Sequence, residues 1–219
     1  MIDIHTHILP KVDDGSKSNE ISRKLLELEL KEGVNTVYLT PHQNKNQLNK
    51  DEIIKSFLDF KESVKDIPID LKLGSEVYYY QGFKEDLLNG KIITMDDSDY
   101  VLLEFSTSID ENIVDVLYDL SLTKYKIIIA HIERYEYLSL EDYDEIHKYA
   151  KIQVNSRSIL DKVFKKNIKY LLKNDLIDFI ASDCHDLERR TVSFADSLKF
   201  LEKKYKNTYL KVTSDFKLK

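Results

Sequence analysis

Short apolar runs alternate along the chain with longer stretches of helical spacing. Runs rich in Ile, Val, Leu and Tyr occupy residues 1–5, 34–40, 71–78, 100–104, 126–130, 152–154 and 177–181, and each reads as a buried strand. Between them Ile21, Leu25, Leu28 and Leu30 mark one helix, opened by Ser18 with Glu20 in its first turn. Ile53, Ile54, Phe57, Phe60 and Val64 mark a second, and Ile113, Val116, Leu117 and Leu120 a third. Residues 140–150 form a fourth, Val163, Ile168, Leu171 and Leu172 a fifth, and Phe194, Leu198 and Leu201 the last. Seven strands alternating with helices predict an α/β fold of parallel units, with the strands covered on both faces. A barrel and an open doubly wound sheet both satisfy the pattern. Both place functional groups at the carboxyl ends of strands.

Composition narrows the classes. The 219 residues include only five glycines and three prolines, without linkers, repeats or low-complexity tracts, so one continuous domain over residues 1–219 is expected. A hydrophobic share of 42% with 33% charged residues argues against disorder. The balance is mildly acidic, with a net charge of −6 and a pI near 5.6, and no Lys/Arg stripe stands out. Nucleic acid and anionic membranes are therefore not expected partners. A single cysteine, Cys184, excludes an internal disulfide framework and a four-cysteine zinc site. The first residues lack the basic region and apolar stretch of a secretory signal. No run approaches the ~18 apolar residues of a membrane span. The expectation is a cytoplasmic protein.

The strand ends carry the chemistry. The first run ends in His5-Thr6-His7, with Asp13 and Asp14 close behind, and the second in Thr40-Pro41-His42. The third carries Gly74-Ser75-Glu76 and the fourth ends in Glu104. The fifth ends in His131-Ile132-Glu133-Arg134, the sixth in Asn155 and the seventh in Ser182-Asp183-Cys184-His185. Five of the six histidines fall at these ends, and only His147 lies within a helix. His-x-His on a strand puts both rings on one face. Imidazole and carboxylate together suit divalent cations. One such residue alone reads as a core or salt-bridged group, but scattered structural residues would not all choose the same side of seven strands.

In this order the motifs resemble the polymerase-and-histidinol-phosphatase (PHP) superfamily. DIHTHILPKVDDGSK, GSEVYY, HIERY and SDCH carry a closer resemblance to its bacterial, manganese-dependent protein-tyrosine-phosphatase branch, encoded with capsule and exopolysaccharide clusters. The resemblance runs from Ile2 to about Arg190. It implies a distorted (β/α)7 barrel with three divalent metal ions, manganese first among them, although iron, zinc or magnesium accept the same ligands. His5, His7, Glu76 and Asp183 would hold the first ion. Glu76, Glu104 and His131 would hold the second, and Asp14, His42 and His185 the third. Carboxylates at Asp14 and Glu104, where other branches carry histidines, favour the tyrosine-phosphatase branch. Ile132 replaces the usual proline, Cys184 an alanine and Lys11 a glycine, and none of these removes a ligand.

Against four ligand carboxylates, three such ions leave the cluster at about +2, which suits a phosphate dianion. The expected reaction is direct in-line hydrolysis of a phosphomonoester, with Arg134 and Arg190 as catalytic arginines on the transferring oxygens. Cys184 and Arg190 also satisfy Cys-x5-Arg, the loop of cysteine-dependent phosphatases. However, that loop needs small residues, and here Asp186 and Glu188 would oppose a phosphate. Tyr78, Tyr79, Tyr80, Tyr135 and Tyr137 could wall a phosphotyrosine ring, although Tyr favours strands and half-buried surfaces in any case. Lys11 and Lys45 could steer phosphate. The function implied is dephosphorylation of a bacterial tyrosine autokinase in control of capsule or exopolysaccharide synthesis. The alternatives are a small-molecule phosphoesterase such as a histidinol phosphatase, a metal-dependent nuclease, and a non-catalytic regulatory module.

Overall fold

The computed structural model describes residues 1–44 and 50–214, so Lys45 lies outside the described residues. Two parallel sheets form, of order β1-β2-β3 and β4-β5-β6-β7-β8. The strands are β1 (Ile2–Thr6), β2 (Thr36–Leu39), β3 (Asp70–Leu73), β4 (Glu76–Tyr78), β5 (Tyr100–Glu104), β6 (Lys126–Ile129), β7 (Ala150–Asn155) and β8 (Phe179–Ala181). Isolated bridges join the two sheets, Thr6 to Cys184 on one side and His42 to Glu76 on the other. The barrel expected from the sequence is therefore distorted, with seams made of single bridges rather than continuous ladders.

The stretch 71–78, expected as one strand, is two. It breaks at Gly74-Ser75, where β3 ends its pairing with β2 and β4 begins its pairing with β5. The break is closely packed: a Cβ on Gly74 would stand 2.5 Å from Met95 Sδ, so any larger residue there would push the Met95 side chain aside. The helices are α1 (Asn19–Lys31), α2 (Lys50–Ser63), α3 (Phe83–Leu88), α4 (Ile113–Ser121), α5 (Leu140–Tyr149), α6 (Lys165–Lys173), α7 (Ala195–Lys204) and α8 (Lys206–Thr213). Ser18 caps α1 as its sequence predicts, its side chain accepting from the Ile21 amide. Helices α3 and α8 are additional. None is long and apolar enough to cross a membrane.

The pleat sorts the side chains into two cores. Ile4, Leu102, Ile128, Ala130, Phe179 and Ala181 meet inside the ring of strands. Val37, Val101, Leu103, Ile127, Ile129, Ile152, Val154 and Ile180 face outward against the helices. Asp178 secures the base. It accepts from the Ile152 amide at 2.9 Å, His147 Nε2 at 3.0 Å and Lys151 Nζ at 2.9 Å. Burial opposes its charge, but these donors outweigh burial and keep the carboxyl below its ordinary range. A carboxyl so depressed stabilises the fold above its unfolded pKa of ~3.9 and stops doing so as pH falls through its folded value. Asp178→Ala should cost about 1–3 kcal/mol in urea unfolding at pH 7, and the gap from wild type should narrow at pH 3. An equal gap at both pH values would contradict this role.

Candidate metal centre

The register of β1 against β2 shifts between Asp3 and Thr6. Ile4 belongs to the interior core, yet His5 and His7 turn toward the same interior space. The irregularity re-aims both rings, as bulges beside sites do. Their Nε2 atoms stand 3.2 Å apart, and Glu76 Oε2 lies 3.2 Å from the first and 3.1 Å from the second. Asp183 Oδ1 is 3.7 Å from each. His131 Nε2 lies 3.0 Å from Glu76 Oε1 and 3.4 Å from Glu104 Oε1. Asp14 Oδ1 is 3.5 Å from both His42 Nε2 and His185 Nε2.

The structure thus brings all nine expected ligands to one end of the strands. The donor atoms group as His5, His7 and Asp183; as His42, Glu76 and Glu104; and as His7, Asp14, His42 and His185. This differs from the expected partition: Glu76 is absent from the first group and His131 from the second, while His42 joins the second and His7 the third. The rings of His7, His42 and His185 crowd together, with centroids 4.6 Å and 3.9 Å from that of His7. Such shared positions depend on interatomic distances.

The donor set fits cations. Among the described residues, His185 Nε2 and His42 Nδ1 are buried without a hydrogen-bond partner. Burial and the Glu76 charge push the Glu104 carboxyl up to about 7. The Glu76 carboxyl is held well below its range, burial being outweighed by His5 and the hydrogen bonds of His131, His5 and His7. Burial disfavours the His7 cation, but Asp13 and Glu76 lift it to about 10. Burial and the His7 charge take His185 down to about 2. The cluster therefore takes up positive charge as protons wherever it can. His131 and Asp183 sit at φ 32° and 51°, a region that residues other than glycine rarely adopt and that collects at functional sites.

Several residues support the ligands; the sequence reading places Asp13 and Asn155 at strand ends without a role and does not single out Gln153 or Arg157. Asp13 Oδ2 accepts from His7 Nδ1 at 2.7 Å and from the His42 amide at 3.1 Å. Gln153 Oε1 faces His5 Nδ1 at 3.2 Å and accepts from the His131 amide at 2.7 Å. These contacts place a proton on Nδ1 of His5 and His7, so that in the neutral ring the Nε2 lone pair faces inward. Asn155 and Arg157 reach Asp183. Gln153 and Asn155 do carry a sequence signal: they are polar at period two in an otherwise apolar strand.

The guanidinium groups converge on Asp183. Arg190 Nη2 donates to Oδ1 at 2.6 Å, and Arg134 Nη1 lies 3.9 Å from Oδ2. The Cys-x5-Arg loop has another use. Asp186 Oδ1 takes the amides of Glu188, Arg189 and Arg190, while the amides of His185 and Asp186 go to the Arg190 carbonyl. Those amides are unavailable to a phosphate. Cys184 is fully buried, and burial, with Glu29 and Asp3 adding their charge, pushes its thiol well up.

The aromatic wall is smaller than the five tyrosines suggest. Tyr135 is fully buried, donating to the Ala130 carbonyl and accepting from the Phe105 amide. Tyr137 donates to the Ser106 carbonyl and Tyr80 to Asp86, while Tyr79 stacks on Phe105. Tyr78 is the most exposed of the five. Lys11 stands at φ 63°, a conformation that favours glycine.

Comparisons agree with this geometry. The model of the family described as capsular polysaccharide synthesis, CpsB/CapC, matches residues 1–214. The tyrosine-protein phosphatase CpsB of Streptococcus pneumoniae is 33% identical over 221 residues, covering 94% of this chain and 91% of its own. The tyrosine-protein phosphatase YwqE of Bacillus subtilis is 32% identical over 218 residues, covering 94% and 85%. The crystal structures of YwqE and CpsB, described as unique metal-dependent tyrosine phosphatases, match with a TM-score of 0.85 at 28% identity, covering 97% of this chain and 94% of that one. The histidinol phosphate phosphatase of Lactococcus lactis shares the fold at a TM-score of 0.62 and 16% identity, covering 93% of each chain. With a barrel of this kind and a family match along nearly its whole length, the chain belongs to the CpsB/CapC family of capsular polysaccharide synthesis.

Proposed function

We propose that the chain is a metal-dependent phosphotyrosine-protein phosphatase acting on a bacterial tyrosine autokinase in the cytoplasm, in the control of capsule or exopolysaccharide synthesis. The observation that carries the reading is the convergence of nine imidazole and carboxylate donors beside two arginines at one end of a single barrel unit. The family's named tyrosine phosphatases support the substrate class.

His5, His7, Glu76 and Asp183 would hold one ion. Glu76, Glu104 and His131 would hold a second, and Asp14, His42 and His185 a third, with manganese the expected metal. Bound cations supply Lewis-acid polarisation and charge neutralisation at a phosphoryl group. The chain's own groups do the rest. Asp13 and Gln153 keep the His7 and His5 protons on Nδ1. Arg134 and Arg190 would pair with phosphoryl oxygens and take up charge as the bond to phosphorus breaks. A phenolate leaves readily, so no dedicated acid is required.

Two predictions arise here. Metal uptake must expel the proton that His7 holds below about pH 10, and much of the proton that Glu104 holds near pH 7. Apparent manganese affinity should therefore rise between pH 6 and 8, with about one proton or more released at pH 7. Calorimetry in buffers of different ionisation heat reads that number, and zero release would contradict the site. The second concerns the route. Cys184→Ser should hydrolyse a phosphotyrosyl peptide within ~2-fold of wild type, whereas a cysteine nucleophile would lose ~10³-fold or more. Abolition would overturn the proposed metal-dependent route.

A further inference from the structure

Asp183 offers its two oxygens to different sets of partners. Oδ1 faces His5 and His7, lies 3.6 Å from His185 Nδ1 and takes Arg190 at 2.6 Å. Oδ2 accepts from Asn155 Nδ2 at 2.9 Å and from Arg157 Nη2 at 3.0 Å. Arg157 also donates Nη1 to the Ser182 carbonyl at 3.1 Å. Its fork thus grips two consecutive residues after β8, one by backbone and one by side chain. Arg157 stands in the 3₁₀ turn Ser156–Ile159, which follows β7 directly, so it and Asn155 reach over from the same strand end. The grip falls where the backbone is constrained, since Asp183 sits at φ 51°.

We propose that Arg157, with Asn155, is a positioning residue that holds Asp183 Oδ2 and so presents Oδ1 alone to the cation shared with His5 and His7. The inference rests on the metal-dependent reading above. Arg190 differs in kind. It occupies Oδ1, the ligand face, where a bound cation would compete with it. The acceptors of Arg157, Asp183 Oδ2 and the Ser182 carbonyl, lie off that face, so a cation at Oδ1 would leave them in place. The sign of its effect separates two roles. An arginine acting only through charge repels the cation, and its removal would tighten metal binding. An arginine that orients the ligand does the reverse, and loss of such an outer partner weakens metal affinity by ~10–100-fold.

The test is manganese titration of the full-length protein against a competing chelating dye, alongside steady-state kinetics on a phosphotyrosyl peptide. Arg157→Ala should bind manganese ~10–100-fold more weakly at the site that Asp183→Asn also loses, with KM at saturating manganese unchanged. Arg190→Ala should bind manganese no more weakly than wild type and raise KM. Arg157→Lys keeps the charge but cannot span both acceptors, so it should remain weak, and it serves as the readout if Arg157→Ala does not fold. Unchanged or tighter manganese binding in Arg157→Ala, or full rescue by lysine, would overturn the proposal. Wild-type protein that takes up no manganese would instead overturn the metal reading itself, and the inference with it.

Discussion

Removal of divalent cations is expected to abolish phosphatase activity and to lower the melting temperature. The physical cause is the charge left behind. Glu76, Asp183 and the rings of His5, His7 and His131 are buried together, and Glu104 stands close beside them. Without a cation Glu104 retains a proton up to about pH 7, because burial and Glu76 oppose its charge. His42 Nδ1 and His185 Nε2 find no hydrogen-bond partner among the described residues. A cation that satisfies them stabilises the native state by about 2.7 kcal/mol for each site held at a hundred times its Kd. In a chain of this size that corresponds to about 5–10 °C per site. Thermal melts with and without chelator, on protein whose metal content is measured, check the prediction. An unchanged melt in demonstrably metal-free protein would contradict it.

Asp183→Asn is expected to reduce kcat/KM on a phosphotyrosyl peptide by about 10³-fold or more, equivalent to about 4 kcal/mol of transition-state stabilisation. The change is isosteric, so the loss is one of charge and polarity rather than packing. Donors surround both oxygens: Asn155 and Arg157 at Oδ2, Arg190 at Oδ1. Whichever way the amide turns, its NH2 meets a donor. The buried carboxylate is also held far below its ordinary range, burial being outweighed by His5, His131, His7 and Arg190. Its neutral replacement leaves those groups uncompensated. Kinetics at saturating manganese provide the measurement, and a variant retaining a tenth of wild-type activity would contradict the role.

The site was largely legible in the sequence because strand ends concentrate it. Each ligand candidate follows or closes an apolar run, and parallel β/α topology then gathers those ends. The break between β3 and β4 was hidden, because 71–78 reads as one apolar run and only Gly74-Ser75 marks the switch of sheet. Helix α3 is too short to show a period, at six residues. Arg157 carried no signal at all. Its contact with Asp183 exists only because β7 pairs with β8 and a 3₁₀ turn follows β7. Tyr135 misled for the opposite reason: it sits in a motif-like stretch, yet its hydroxyl serves the backbone of the core. Sequence pattern conveys which residues share an end of the fold. Which oxygen of a carboxylate faces which partner is a property of the packed structure.

The most direct measurement is phosphate release from a phosphotyrosyl peptide, a phosphoseryl peptide and histidinol phosphate in parallel, with manganese and with EDTA. The account predicts manganese-dependent release from phosphotyrosine, at least ~100-fold in kcat/KM over the other two and lost in EDTA. Release that persists in EDTA, or a preference for histidinol phosphate, would contradict it.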